Sequence, residues 1–225
     1  MKTRIPYLRM RSKKKNTESG TGLTPHAQTY MRLDVRFNPM KSETFCDPLY
    51  TKALTELVVR LVQAESPVSS DVIASEMLEL LGINKSTAKL KARCDYLIKN
   101  TRLPFTVQEL DGDETREGTR IIWSDREASN GICPFYRVPA ANVKPRKAAD
   151  IAVQEAARAV IDVAEDQMGL PRDSLITETA KALGFARAAS NTDCYKLCGQ
   201  AVDYAFALGA LKVDDNGFIT PSGTN

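Results

Sequence analysis

Histidine occurs only once in this sequence of 225 residues, as His26 in a segment rich in threonine, serine, glycine and proline. Catalytic dyads, triads and most zinc sites need histidine together with partners in a matching geometry. The sequence also has no glycine-rich phosphate loop of the Rossmann or Walker type. We therefore predict no catalytic residue, no cofactor, no metal site, and a protein that is not an enzyme.

The five cysteines form no CxxC pair, which is typical of reduced thiols in a reducing compartment. Cys194 and Cys198 stand one helical turn apart, and no further Cys or His pair completes a metal site. We interpret them as small buried core residues. The acidic group Asp111, Asp113 and Glu114 is interpreted as the polar tip of a turn rather than as a metal cluster.

No stretch approaches the eighteen or so uncharged apolar residues of a membrane span. The N-terminus, MKTRIPYLRMRSKKK, is basic but is not followed by the apolar core of a signal peptide. These absences predict a cytoplasmic protein without membrane contact, which would be nucleoid-associated if it binds DNA.

The net charge of +3 combines segments of unlike charge. Residues 1–50 carry ten Lys/Arg and four Asp/Glu, whereas residues 147–220 carry seven and eleven. Residues 1–48 show no sustained apolar periodicity and are predicted to form a flexible basic arm. Within this arm Lys13, Lys14 and Lys15 are candidate phosphate contacts, and a merely solvated tail is the alternative.

From Tyr50 onward the sequence becomes periodic, and residues 49–124 are predicted to form a first module. Leu54, Leu57, Val58, Leu61 and Val62 mark one face of an amphipathic helix. A second helix ends near Gly82, and a third extends from about Ser86 to Asn100. Alternating runs at 105–110 and 119–123, around an Asp-Gly turn, predict a hairpin. Three helices followed by a hairpin is the order of a winged helix.

The second half repeats this pattern in residues 148–221. Asp71, Leu81 and Gly82 match Asp173, Leu183 and Gly184 at a constant shift of 102 residues. The proline-containing residues 125–147 are predicted to be a linker. The predicted fold class is mainly α with small β-hairpin wings (α+β), in tandem winged-helix or helix-turn-helix modules, because a period near 100 indicates duplicated domains.

The stretch from Val138 to Lys147 is followed by an Ala-rich helix and by GLPRDSLITETAKALGFAR. It resembles the uncharacterised winged-helix segment at the C-termini of large bacterial superfamily-one helicases, many with a very-short-patch-repair-like nuclease domain and in phage-defence loci. The resemblance covers about residues 50–220 and implies DNA processing and a helicase or nuclease partner. It implies no catalytic residue, because neither motor nor nuclease is present.

Helix three of a winged helix lies in the major groove, so its outward face is the candidate DNA-binding surface. Residues 84–102 contain six Lys/Arg and one acid. The candidate contacts are Lys85, Lys89, Arg93, Tyr96, Lys99 and Asn100, and a solvated helix face is the alternative. The matching helix of the second module has Lys196, preceded by Arg187, with Asp193 and Asp203 beside it.

Two functions follow from these patterns. The first is a non-enzymatic nucleic-acid-binding accessory or regulatory protein, which uses helix three of the first module and the basic arm on double-stranded DNA. The alternative is an adaptor that binds a helicase or nuclease partner without direct DNA contact. The acidic second module fits protein contact better than DNA contact.

Overall fold

The computed structural model describes residues 24–30, 32–33, 37–101, 106–109, 120–124, 128–140 and 146–223. Over these ranges the chain forms seven α-helices and three small β-sheets. The predicted α+β class, dominated by helix, is therefore confirmed.

The first unit comprises three long helices and a three-stranded sheet. Its helices are α2 (Thr51–Glu65), α3 (Ser70–Leu80) and α4 (Ala88–Lys99). Its strands are β2 (Val68–Ser69), β3 (Thr106–Glu109) and β4 (Arg120–Trp123). They pair antiparallel in the order β2-β4-β3, so that the strand between α2 and α3 lies against the last strand of the hairpin.

Apolar periodicity and capping residues explain where these helices form. All five residues of the stripe predicted on α2 are buried. The Ser69 hydroxyl accepts a hydrogen bond from the Val72 amide at 3.1 Å, and the Thr87 hydroxyl accepts one from the Leu90 amide at 3.3 Å. Each cap satisfies a backbone N–H that has no partner within its helix, and this fixes the starts of α3 and α4.

The second unit has the same order of elements. It consists of α5 (Val153–Asp166), α6 (Arg172–Ala182), α7 (Asp193–Ala207), β6 (Leu211–Val213) and β7 (Ile219–Pro221). β6 and β7 form an antiparallel hairpin, and Leu170, between α5 and α6, bridges to Ile219 of β7. This bridge stands where β2 pairs with β4 in the first unit.

The similarity extends to the segments that precede the two units. Gly82 and Gly184 follow α3 and α6 with φ of +69° and +90°, which favours glycine. A Cβ on Gly184 would lie 2.5 Å from Pro139, and one on Gly82 would lie 3.2 Å from Pro39. A proline segment therefore packs against the corresponding glycine in both units.

The prediction that residues 1–48 form an unpacked arm is wrong for the described part of that range. β1 (Ala27–Tyr30) and α1 (Ser42–Cys46) are ordered elements, and Phe45 is fully buried in the core of the first unit. Isolated aromatic residues anchor this segment, and they give no helical or strand period for sequence analysis to detect.

The predicted linker of residues 125–147 also contains packed structure. β5 (Tyr136–Pro139) pairs in parallel with β1, with Ala27 opposite Tyr136. Cys133 is buried in a small cluster with Ile121, Trp123 and Ala152. The described part of the linker therefore fills the space between the hairpin of the first unit and the start of α5.

A buried charge cluster joins the units at this place. Arg137 of β5 binds Glu155 of α5, with Nη2 at 2.7 Å from Oε2, and also donates to the backbone carbonyls of Glu65 and Pro67. Arg146 donates to the same carboxylate, and the Tyr30 ring lies beside both guanidinium groups. Because Glu65 and Pro67 belong to the first unit and Glu155 to the second, Arg137 ties the two units together.

The two arginines also decide the protonation of Glu155. Burial by itself would raise the pKa of this carboxyl, but the charges and hydrogen bonds of Arg146 and Arg137 lower it to about 2. An ionised Glu155 offsets part of the cost of burying the two guanidinium groups, because both bind its carboxylate.

The N-terminal segment is held to both units. His26 Nδ1 lies 2.8 Å from Asp162 Oδ1, and the Thr24 hydroxyl donates to Asp162 Oδ2 at 2.6 Å, which fixes this end to α5. Further along, the Tyr30 hydroxyl donates to Glu65 Oε2 at 2.9 Å, at the end of α2. His26 is thus a structural residue of the junction.

Candidate nucleic-acid interface

The two sides of α4 differ in burial. Leu90, Cys94, Leu97 and Ile98 are buried against α2 and α3, as the sequence predicts. The other positions of α4 are exposed or half-buried, and the Thr87 side chain caps its first turn. The first unit therefore offers an α-helix with one free face.

Three of the predicted contact lysines are exposed: Lys89 and Lys99 lie on α4, whereas Lys85 lies in the loop that precedes it. Within the described part of the chain, none of these three ammonium groups has a carboxylate within 4.0 Å. Their charges are thus available for phosphate groups. A fourth lysine, Lys91, lies 3.5 Å from Asp71, with both side chains mostly exposed, so this pair is weak.

The acid on the same helix is already paired. Asp95 Oδ1 accepts a hydrogen bond from Arg120 Nη2 of β4 at 2.9 Å. This pairing reduces the repulsion that Asp95 would exert on a phosphate. It also connects α4 to the hairpin strand that follows it.

Arg93 does not present its guanidinium to solvent in the way that the sequence pattern predicts. Its Nε donates to the Phe45 carbonyl at 3.3 Å, and Nη2 donates to the Asp47 carbonyl and to the Thr51 hydroxyl. These acceptors come from α1 and the start of α2. Arg93 therefore holds the segment from Phe45 to Thr51 against α4. The helical pattern alone could not reveal these acceptors.

Tyr96 and Asn100 lie on the same side of α4 as Arg93. The Tyr96 side chain is 49% exposed, and its ring centroid lies 5.3 Å from the Arg93 guanidinium carbon. Asn100 is exposed, and its Nδ2 donates to the Tyr96 carbonyl at 2.8 Å, so part of its hydrogen-bonding capacity serves the end of the helix. Lys13, Lys14 and Lys15 lie outside the described residues.

The corresponding surface of the second unit has a different charge. On α7, Lys196 is exposed between the exposed acids Asp193 and Asp203. Asp203 pairs with Arg172 of α6 at 2.8 Å, and the exposed Arg187 precedes the helix. This face has fewer cations than α4 and more acids.

Sequence analysis missed several exposed apolar side chains. Leu49 is 87% exposed in the turn before α2, close in sequence to the Asp47 carbonyl that Arg93 binds. In the second unit Met168, Val213 and Phe218 are exposed around the hairpin. These residues lie in short elements and connections, where apolar periodicity gives no signal.

Among the described residues, no group of three or more His, Cys, Asp or Glu is arranged to hold a metal ion, and no described helix is long and apolar enough to cross a membrane. Cys194 and Cys198 are buried free thiols, which confirms their interpretation as core residues. Comparison with known protein families, curated proteins and solved structures found no match.

Proposed function

We propose that the protein is a non-enzymatic nucleic-acid-binding accessory protein built from two winged-helix modules, which binds duplex DNA through α4 of the first. In each unit the segment between the first two helices pairs with the last strand of the hairpin. A helix, a strand contact, two helices and a hairpin is the winged-helix order, which supports this assignment.

The observation that carries the DNA-binding proposal is a set of exposed lysines without a carboxylate partner among the described residues. Lys89 and Lys99 lie on α4 and Lys85 lies in the loop before it, and the acid of this helix is paired with Arg120. Cations on one face of an exposed helix displace the counterions condensed on a duplex, which is the main source of affinity for phosphate backbones. Because α4 occupies the place of helix three, the same face would enter the major groove.

The first test is the salt dependence of binding to random duplex DNA by the full chain. We expect the logarithm of the affinity to fall linearly with the logarithm of salt concentration, with a slope of about 1 per phosphate contact. Affinity that does not change with salt, or no binding at low salt, would contradict the proposal.

A second candidate function is protein interaction through the second unit, as an adaptor for a helicase or nuclease. The exposed Met168, Val213 and Phe218 favour it, because apolar side chains around a turn often mark protein contacts. The adaptor requires no DNA contact by α4. Salt-sensitive binding of duplex DNA that needs Lys85 and Lys89 would therefore favour the first function.

A further inference from the structure

Tyr96 is an exposed aromatic side chain on the cationic face of α4. On the same side of the helix, Lys89 lies two turns before Tyr96 and Lys99 lies about one turn after it, and both are exposed. An aromatic ring that is half exposed to water is not explained by the packing of the core. Its position among cations suggests contact with a ligand that is both anionic and aromatic.

The ring is also held in place. Arg93 is fixed by three hydrogen bonds to Phe45, Asp47 and Thr51, and its guanidinium lies 5.3 Å from the centre of the Tyr96 ring. This cation–π contact restrains the ring before any ligand arrives. A restrained ring loses less conformational entropy on binding than a free one.

We propose that Tyr96 stacks on an unpaired nucleotide base, so that the preferred ligand is a duplex that ends in a single-stranded overhang. This inference rests on the proposed function, because Lys85 and Lys89 would hold the adjoining duplex. Bases within a duplex already stack on both faces, whereas unpaired bases stack readily on aromatic side chains. Blunt duplex DNA offers only the outer faces of its two terminal base pairs, so it should use the Tyr96 ring less than an overhang does.

The test compares the full-length wild type with Tyr96→Ala and Tyr96→Phe on three probes. The probes are a blunt duplex, the same duplex with a short single-stranded overhang at either end, and the single strand alone. We expect the wild type to bind an overhang probe more tightly than the blunt duplex. Tyr96→Ala should lower affinity for the overhang by about 5- to 150-fold, the range for one stacked base, and should lower affinity for the blunt duplex by a clearly smaller factor.

Tyr96→Phe separates stacking from hydrogen bonding. The phenyl ring keeps the stacking surface and removes the hydroxyl, so we expect this variant to bind the overhang like the wild type. A 2-aminopurine at the first unpaired position should change its fluorescence on binding to the wild type and to Tyr96→Phe, but not to Tyr96→Ala. A loss with Tyr96→Phe equal to that with Tyr96→Ala would overturn the stacking proposal in favour of a hydroxyl contact.

Tyr195 of α7 provides a matched control. It is a tyrosine on the corresponding helix of the second unit, and its hydroxyl donates to Asp173 at 2.8 Å. Tyr195→Ala should leave binding of all three probes unchanged. Equal wild-type affinity for blunt and overhang probes would overturn this inference while leaving duplex binding intact, whereas failure to bind any probe would overturn the proposed function as well.

Discussion

α4 and α7 hold the same place in their units but present different surfaces. Each buries an apolar face against two helices and leads into a short hairpin. α4 adds exposed lysines without acidic partners in the described residues, whereas α7 places Asp193 and Asp203 on either side of Lys196. The repeated apolar pattern therefore specifies two similar cores, while the exposed faces of α4 and α7 differ in charge.

The largest expected effect concerns the contact that keeps the two units together. Arg137→Ala removes a buried guanidinium that binds Glu155 and the carbonyls of Glu65 and Pro67. Leaving part of a buried ion pair unmatched should lower the free energy of unfolding by about 3–5 kcal/mol. Urea unfolding, followed by circular dichroism, measures this change.

An exposed ion pair gives the matched control for Arg137. Arg172→Ala breaks the pair with Asp203 on the surface of the second unit. It should cost no more than about 1 kcal/mol, because exposed pairs are screened by water and salt. If Arg137→Ala were as mild as Arg172→Ala, the two units would not depend on this contact.

Truncation of a buried leucine should lower the stability of the two units by similar amounts, although their surfaces differ in charge. Leu57 and Leu197 are buried in the first and second cores, respectively. Leu57→Ala and Leu197→Ala should each lower the free energy of unfolding by about 2–5 kcal/mol, since each leaves a cavity. A calorimetric scan of each variant would measure the loss, and a negligible effect at either position would show that one core does not stabilise the whole chain.

The next effect depends on pH and concerns two neighbouring buried carboxyl groups of the first unit, Glu76 and Glu65. Burial raises the pKa of Glu76 to about 9, and a hydrogen bond with Glu65 adds to this shift. Arg32 Nε lies 3.3 Å from Glu76 Oε1, but that oxygen has no hydrogen bond within the described residues. Glu65 already accepts from the Tyr30 hydroxyl and the Leu33 amide, so the proton belongs on Glu76.

Glu76→Gln tests this protonation state. Because the folded chain keeps a proton that the unfolded chain loses above its ordinary pKa of 4.5, Glu76 makes folding less favourable as pH rises from 4.5 toward 9. The neutral variant should gain stability relative to the wild type over that range, by at most about 1.4 kcal/mol per pH unit. The free energies of unfolding of the variant and the wild type, measured at pH 4 and pH 8, give this gain. A variant that is less stable than the wild type at pH 8 would instead show that Glu76 is ionised and paired with Arg32.

Sequence periodicity predicted the parts of the fold that rest on regular apolar spacing. The helices of both units, their hairpins and the constant shift between Gly82 and Gly184 all follow from local patterns. The junction could not be predicted, because Arg137 and Glu155 are eighteen residues apart in different elements and meet only after the chain folds. Phe45 and Tyr30 are likewise buried, although the segment that contains them has no apolar period. Deleting residues 1–48 should therefore disrupt the core of the first unit.

The candidate site could likewise be predicted from the sequence only in part. Helical spacing correctly places Lys89, Tyr96 and Asn100 on the exposed surface of α4. It could not show that Arg93 turns toward Phe45 and Thr51, because those acceptors are more than forty residues away in sequence.

The most direct measurement compares matched pairs of cations from the two units. Lys85→Ala with Lys89→Ala should weaken duplex binding and reduce the slope of log affinity against log salt by about 1 per lost phosphate contact. Arg187→Ala with Lys196→Ala removes the same number of charges and should change the slope far less, because the exposed Asp193 already opposes phosphate there. Equal slopes for the two double variants would contradict the assignment of DNA binding to α4.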